Sequence, residues 1–168
     1  LTASSACDPC VAGKFQNTAG LTSCSDCVAG QYQNQEKETA CILCGKGKWS
    51  SQTAQSTSNT CTNCGKGKYL DTEGQTLETQ CIPCAIATYQ ETEGAEILSA
   101  CKDCDAGKQS NKIGTQASDC VDCVKGKYQS TSKQTQCVAC AVGKYGGLPG
   151  KSSETEACKP CVLGRWSS

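Results

Sequence analysis

Eighteen cysteines are the residues of this 168-residue chain whose type and spacing could do chemistry, and all of them fall in Cys-x-x-Cys doublets. The doublets are Cys7/Cys10, Cys24/Cys27, Cys41/Cys44, Cys61/Cys64, Cys81/Cys84, Cys101/Cys104, Cys120/Cys123, Cys137/Cys140 and Cys158/Cys161. Thiols paired at this spacing can hold a soft metal, exchange disulfides catalytically, or close structural cross-links. Successive doublets suit a four-thiolate zinc site, and Cys44-Gly45-Lys46 and Cys64-Gly65-Lys66 look like zinc knuckles. Such sites use doublets in twos, the number of doublets is odd, and no histidine is present to complete a mixed site. Thiol–disulfide catalysis needs one reactive pair on a thioredoxin-like βαβ unit, and no such pattern is present. Structural disulfides are the favoured reading of every doublet.

Other chemistries have less support. Without histidine there is no Ser-His-Asp or Cys-His arrangement. Glu91, Glu93 and Glu96 hint at calcium, but the chain has no Asp-x-Asp-x-Asp-Gly loop. No catalytic, cofactor-binding or metal site is assigned, and the chain is read as a non-enzyme. Sixteen basic residues balance sixteen acidic ones, which argues against a nucleic-acid partner. No stretch approaches the length of a membrane span.

The elements that must position the cysteines follow from aligning the doublets. Three residues after the second cysteine stands Gly13, Gly30, Gly47, Gly67, Ala87, Gly107, Gly126, Gly143 or Gly164. A lysine usually follows, then Phe15, Tyr32, Trp49, Tyr69, Tyr89, Gln109, Tyr128, Tyr145 or Trp166, which places every aromatic residue of the chain at one position. The glycine supplies a backbone conformation closed to residues with a β-carbon and turns the chain after the cysteine. Ala87 is the place where that turn is expected to be built differently. Each aromatic is the only large apolar group of its unit. Laid over a disulfide or a neighbouring repeat, it stabilises by roughly 1.5–3 kcal/mol. The polar remainder carries turn signals at Ala19-Gly20, Glu73-Gly74, Glu93-Gly94 and Ile113-Gly114. A unit this short encloses no private core, so it depends on cross-links and neighbours.

The expected fold is therefore small and disulfide-rich: an elongated tandem-repeat rod of short β-hairpins and loops with little or no helix. Residues 1–168 read as one continuous array of about nine repeats starting near 7, 24, 41, 61, 81, 101, 120, 137 and 158, the first and last incomplete.

The Cys-x-x-Cys-x-x-Gly-Lys-aromatic pattern resembles the ephrin-receptor-like and growth-factor-receptor cysteine-rich repeats, and every repeat carries it. It is similar also to the tumour-necrosis-factor-receptor module and to arrays in large surface proteins of algae and protists. Those families often place proline after the second cysteine, whereas Pro9, Pro83 and Pro160 here precede it. The resemblance implies a successive linkage: Cys10–Cys24, Cys27–Cys41, Cys44–Cys61, Cys64–Cys81, Cys84–Cys101, Cys104–Cys120, Cys123–Cys137 and Cys140–Cys158. Each such loop holds about 15 residues and contributes ~3 kcal/mol in the chain-entropy picture. Pairing whole doublets crosswise is the competing connectivity, and the sequence leaves it open. The successive linkage leaves Cys7 and Cys161 over. Joined end to start, they would stand as far apart as Cys10 and Cys24, so a Cys161–Cys7 link between units is expected, by tandem continuation or by head-to-tail association.

A chain so rich in cysteine belongs in an oxidising, extracellular setting. The expected function is structural: a disulfide-laddered rod forming or belonging to a filament, stalk or surface coat, partnered by its own kind. The alternative is a ligand-binding receptor or surface-antigen ectodomain. The lysines form a solvated stripe that could guide lateral packing against acidic loops. No Asn-x-Ser/Thr sequon occurs, only Asn59-Thr60-Cys61, and the Thr53 to Thr60 segment is a candidate for O-glycans.

Overall fold

The computed structural model describes residues 7–163 and 165. The turn expected after each doublet is present. From Gly13 to Gly143 the glycine at this position has φ between 73° and 87°. One residue on, an N–H returns to the carbonyl three residues back, as in Lys14 to Val11 at 3.1 Å and Lys144 to Ala141 at 3.0 Å. This positive-φ turn, called the hook below, aims the next two residues back along the interior of the following doublet.

Each hook therefore starts an antiparallel hairpin of two-residue strands. In the first half of the sequence β1 (Lys14–Phe15) pairs with β2 (Ser25–Asp26), and β3 (Gln31–Tyr32) with β4 (Ile42–Leu43). Next, β5 (Lys48–Trp49) pairs with β6 (Thr62–Asn63), and β7 (Lys68–Tyr69) with β8 (Ile82–Pro83). The second half repeats the arrangement: β9 (Thr88–Tyr89) with β10 (Lys102–Asp103) and β11 (Lys108–Gln109) with β12 (Val121–Asp122). Then β13 (Lys127–Tyr128) pairs with β14 (Val138–Ala139), and β15 (Lys144–Tyr145) with β16 (Lys159–Pro160). Among the described residues the only α-helix is α1 (Glu154–Ala157), a single turn capped by the Ser153 hydroxyl, which accepts from the Glu156 N–H at 3.3 Å.

Two-stranded sheets this short have no independent stability, and the sulfur ladder replaces the missing core. Eight disulfides link Cys10–Cys24, Cys27–Cys41, Cys44–Cys61, Cys64–Cys81, Cys84–Cys101, Cys104–Cys120, Cys123–Cys137 and Cys140–Cys158. Their Cα atoms are 5.5 to 5.7 Å apart, within the usual range.

The chain divides into two compact units. One comprises residues 1–64, 70–81 and 94–97, and the other residues 65–69, 82–93 and 98–168. In the first, Cys27, Cys44 and Cys64 have no solvent exposure, and Cys64, Leu70 and Cys81 form an apolar cluster against which Trp49 packs. In the second, Cys84, Ala87, Cys104 and Cys123 are the fully buried side chains. The interior of each unit thus consists largely of second cysteines.

Loop length sorts the repeats into two kinds. Three disulfides close over a separation of 14 residues, and the other five over 16 to 18. The longer loops fit the extra residues into a turn of helix just before the closing cysteine. Four are 3-10 turns, at Ser58–Thr60, Glu78–Gln80, Leu98–Ala100 and Ala117–Asp119, and the fifth is α1. In the last of the 3-10 turns, the Lys112 ammonium lies 2.6 Å from Asp119 and the Gln116 N–H donates to the same carboxylate at 3.2 Å. Those two hydrogen bonds, the lysine's first, hold the Asp119 carboxyl below the usual carboxylate range.

Candidate functional site

The feature that distinguishes this molecule is a set of backbone contacts repeated from one repeat to the next. The N–H of each second cysteine donates to the carbonyl of the preceding hook, at 2.8 to 3.0 Å, from Cys27 on Gly13 through Cys161 on Gly143. From Cys10 to Cys123 the carbonyl of the second cysteine accepts from the turn of the following loop: Lys37 on Cys10, Ala54 on Cys27, Gly74 on Cys44, Gly94 on Cys64, Gly114 on Cys84, Lys133 on Cys104 and Gly150 on Cys123. All seven of these turn residues have positive φ, including the non-glycine Lys37, Ala54 and Lys133. Sequence reasoning found Gly74, Gly94 and Gly114; it missed Lys37, Ala54 and Lys133, because alanine and lysine carry no local signal for this conformation, and it passed over Gly150, whose Pro149-Gly150 signal is plain.

The hook glycines also make a longer contact, to the second following loop. A β-carbon on Gly13 would lie 2.5 Å from the Ala54 carbonyl oxygen, and one on Gly107 would lie 2.6 Å from that of Gly150. On Gly30, Gly47 and Gly67 it would overlap the carbonyls of Gly74, Gly94 and Gly114. Glycine is required here by the close approach of another backbone as well as by φ. Ala87 is not built differently, contrary to expectation: its φ is 58° and its carbonyl accepts from Cys104 like any other hook. Its second following loop, closed by Cys123–Cys137, is of the 14-residue kind, whereas the glycine hooks that meet a carbonyl face loops of 16 to 18. A shorter loop leaves room for one methyl. Thr88 then replaces the usual lysine, and its hydroxyl donates to Ala85 at 2.7 Å across the turn.

The aromatic position is not where burial is deepest. Phe15, Tyr32, Trp49, Tyr69, Tyr89 and Tyr128 are half-buried, Tyr145 is exposed, and Trp166 and Gly164 lie outside the described residues. Through their backbones Tyr32, Trp49, Tyr89 and Tyr128 bridge in parallel to Gln55, Gln75, Thr115 and Lys151 of the next repeat. Burial is deeper at the position that follows, where Gln33, Ser50, Leu70, Gln90, Ser110 and Gln129 are buried and Gln16 and Gly146 half-buried. Pleat alternation turns this residue inward when the aromatic half-faces solvent.

The glutamines there brace the short loops. Gln33 donates to Ala40 at 2.7 Å and accepts from the Gln35 N–H at 3.0 Å. Gln16 does the same with Ser23 and Thr18, and Gln129 with Gln136 and Thr131. These three glutamines sit in the three 14-residue loops. The recurrence of glutamine after the aromatic is visible in the sequence, but the inward orientation of Gln33 and Gln129 is not.

The lysine stripe is partly engaged by carboxylates of this chain. Lys14 pairs with Asp26 and Lys108 with Asp122 across a hairpin, and Lys144 with Glu154 of α1, at 2.6 to 2.7 Å. These pairs are half-exposed, and each contributes about 0–1 kcal/mol. Glu91 accepts from the Ala117 N–H at 3.2 Å. Among the described residues, no group of three or more His, Cys, Asp or Glu side chains is arranged to hold a metal, and no helix is long and apolar enough to cross a membrane. Cys7 and Cys161 are unbonded.

Fold and ladder together define a disulfide-rich tandem-repeat domain of extracellular type. Residues 18–58 match the family model of the tyrosine-protein kinase ephrin type A/B receptor-like module. That stretch contains the whole Cys27–Cys41 loop, its hook and its hairpin. The module is cysteine-rich and typically non-catalytic. No curated protein matches the chain.

Proposed function

We propose that this domain is a structural element of an extracellular filament, stalk or surface coat: a disulfide-laddered rod that acts by resisting extension and digestion. The observation that carries the reading is the constancy of the second-cysteine to hook hydrogen bond, 2.8 to 3.0 Å from Cys27 to Cys161, while the loops change in length and sequence. A scaffold needs a propagating backbone contact that is indifferent to side chains; a binding site needs a particular set of side chains in one place. Exposed aliphatic residues run through all the repeats, from Val11 to Leu163, instead of gathering in one. The side chains of Thr53, Ser56, Thr57 and Ser58 stand on the exposed face of their loop, accessible to O-glycosylation, which would add a hydrated sheath.

Electron microscopy of native material, labelled with antibody to the folded domain, tests the proposal. Regular fibres or a continuous surface layer carrying the label are the expected result. Labelled particles that stay dispersed and co-purify with a soluble ligand would replace this reading with that of a receptor or surface antigen.

A further inference from the structure

Resting on that structural reading, we infer that the lysine surface around Lys125, Lys127 and Lys151 docks a second copy of this chain, through the carboxylates of that copy's Asp71, Glu73 and Glu96.

The sequence sorts its charge into blocks although the total is zero. Residues 39–70 contain four lysines and no acid, residues 71–101 six acids and no base, and residues 123–153 five lysines and no acid. The stretch between the last two blocks, residues 102–122, mixes both signs. Its charges are matched inside the chain: Lys108 pairs with Asp122 at 2.7 Å, Lys112 with Asp119 at 2.6 Å, and Asp103 with Lys133 at 3.4 Å. The blocks are not matched in this way. Among the described residues Asp71, Glu73 and Glu96 make no ion pair, and neither do Lys125, Lys127 and Lys151.

The fold gathers these three lysines. Lys125 and Lys127 stand on one hook, either side of Gly126, and both are exposed. Across its hairpin Lys127 faces Ala139, whereas Lys14 and Lys108 face aspartates, so its own strand pair leaves it unclaimed. The next residue, Tyr128, bridges to Lys151, and the Gln129 N–H donates to the Lys151 carbonyl at 3.1 Å. Glu156 lines a groove with Lys151 and Lys159, which leaves that groove with a positive excess.

The carboxylates are gathered by the same kind of contact. The Leu70 N–H donates to the Ala95 carbonyl at 2.9 Å, which brings together Asp71 and Glu96, the next residue along each stretch. Glu73 precedes Gly74, the positive-φ turn of the loop in which Asp71 lies. All three carboxylates are exposed. They belong to one compact unit and the three lysines to the other, so each surface is complete within its own unit.

The occupant follows from the charge balance. A polyanion meets the lysines and leaves the acidic surface uncompensated, whereas a second copy supplies the complement of both. Like-charged blocks repel, so the contact also fixes register. Each copy carries both surfaces, and the same contact closes a two-fold pair or propagates through a layer.

Sedimentation of the oxidised protein over a concentration series, with Cys7 and Cys161 alkylated, tests the docking. Self-association is expected at about 20 mM NaCl and is expected to weaken at least about tenfold by about 0.5 M, where screening acts within about 5 Å. Two triple variants give the specific reading: Asp71→Lys with Glu73→Lys and Glu96→Lys, and Lys125→Glu with Lys127→Glu and Lys151→Glu. Each alone is expected to be monomeric at low salt, and their equimolar mixture to associate again, because reversal on both sides restores the complement. Should a reversed chain fail to form its disulfides, the neutral set Asp71→Asn, Glu73→Gln and Glu96→Gln is expected to lose association without that risk.

A wild-type protein that stays monomeric at low salt, association unchanged by either triple, or a mixture that stays monomeric overturns the docking. Heparin bound by the lysines of a protein that does not self-associate overturns it too, and assigns that surface to an acidic polysaccharide. Regular native fibres in which neither triple changes assembly would sink the docking and leave the structural reading standing. Charge-matched pairing by a protein that forms no fibre or layer in its source would do the reverse.

Discussion

Gly67 and Ala87 occupy equivalent hooks, yet only one of them can carry a methyl group. Gly67 has φ 77° and its missing β-carbon would overlap the Gly114 carbonyl, whereas Ala87 holds φ 58° with its methyl fully buried. Gly67→Ala is expected to cost about 2–4 kcal/mol, from left-handed strain and overpacking together. Ala87→Gly should change stability by less than about 1 kcal/mol, because relief of strain offsets the loss of a buried methyl. Denaturant unfolding of both variants with disulfides intact measures the contrast, and equal losses would show that the carbonyl contact is unimportant. The sequence marked these positions as turn glycines. Their second role, allowing a backbone two loops away to approach, involves residues some 40 positions apart and left no local trace.

At the scale of the element, the loops solve one problem in two ways. A 14-residue loop, such as that closed by Cys27–Cys41, is short enough for a single glutamine to span, while a longer one packs its surplus residues into a helical turn. Gln33→Ala removes a donor to Ala40 and an acceptor for Gln35 from a buried site, at an expected cost of about 1–3 kcal/mol. Amide exchange should accelerate across residues 34 to 40 and stay unchanged in the loop that contains the Ser58–Thr60 turn. Exchange that accelerates in both loops would mean that the glutamine acts through the array and not through its own loop. Hairpins were legible from the turn signals in the polar stretches, such as Ala19-Gly20 and Glu73-Gly74, and the near absence of helix from the lack of a 3.6-residue period. The buried glutamine was not, because inward orientation is set by pairing across the hairpin and not by polarity.

For the whole molecule, stability rests on sulfur more than on apolar area. Each rung contributes about 3 kcal/mol by restricting the unfolded chain, and eight rungs hold strands only two residues long. Dithiothreitol should therefore abolish the structured far-ultraviolet dichroism at neutral pH, while a chelator in large excess leaves it unchanged. Collapse on chelation alone would restore the four-thiolate zinc reading. The repeat, its hook, its hairpin and an oxidising setting were determined by the sequence itself, because cysteine spacing and glycine placement act over a few residues. Which loops touch, why Ala87 is tolerated, and why residues after the aromatics are buried were decided only in the folded array. Those properties depend on carbonyls and turns that a repeat meets one or two repeats away, where backbone atoms, identical in every residue type, make the contact.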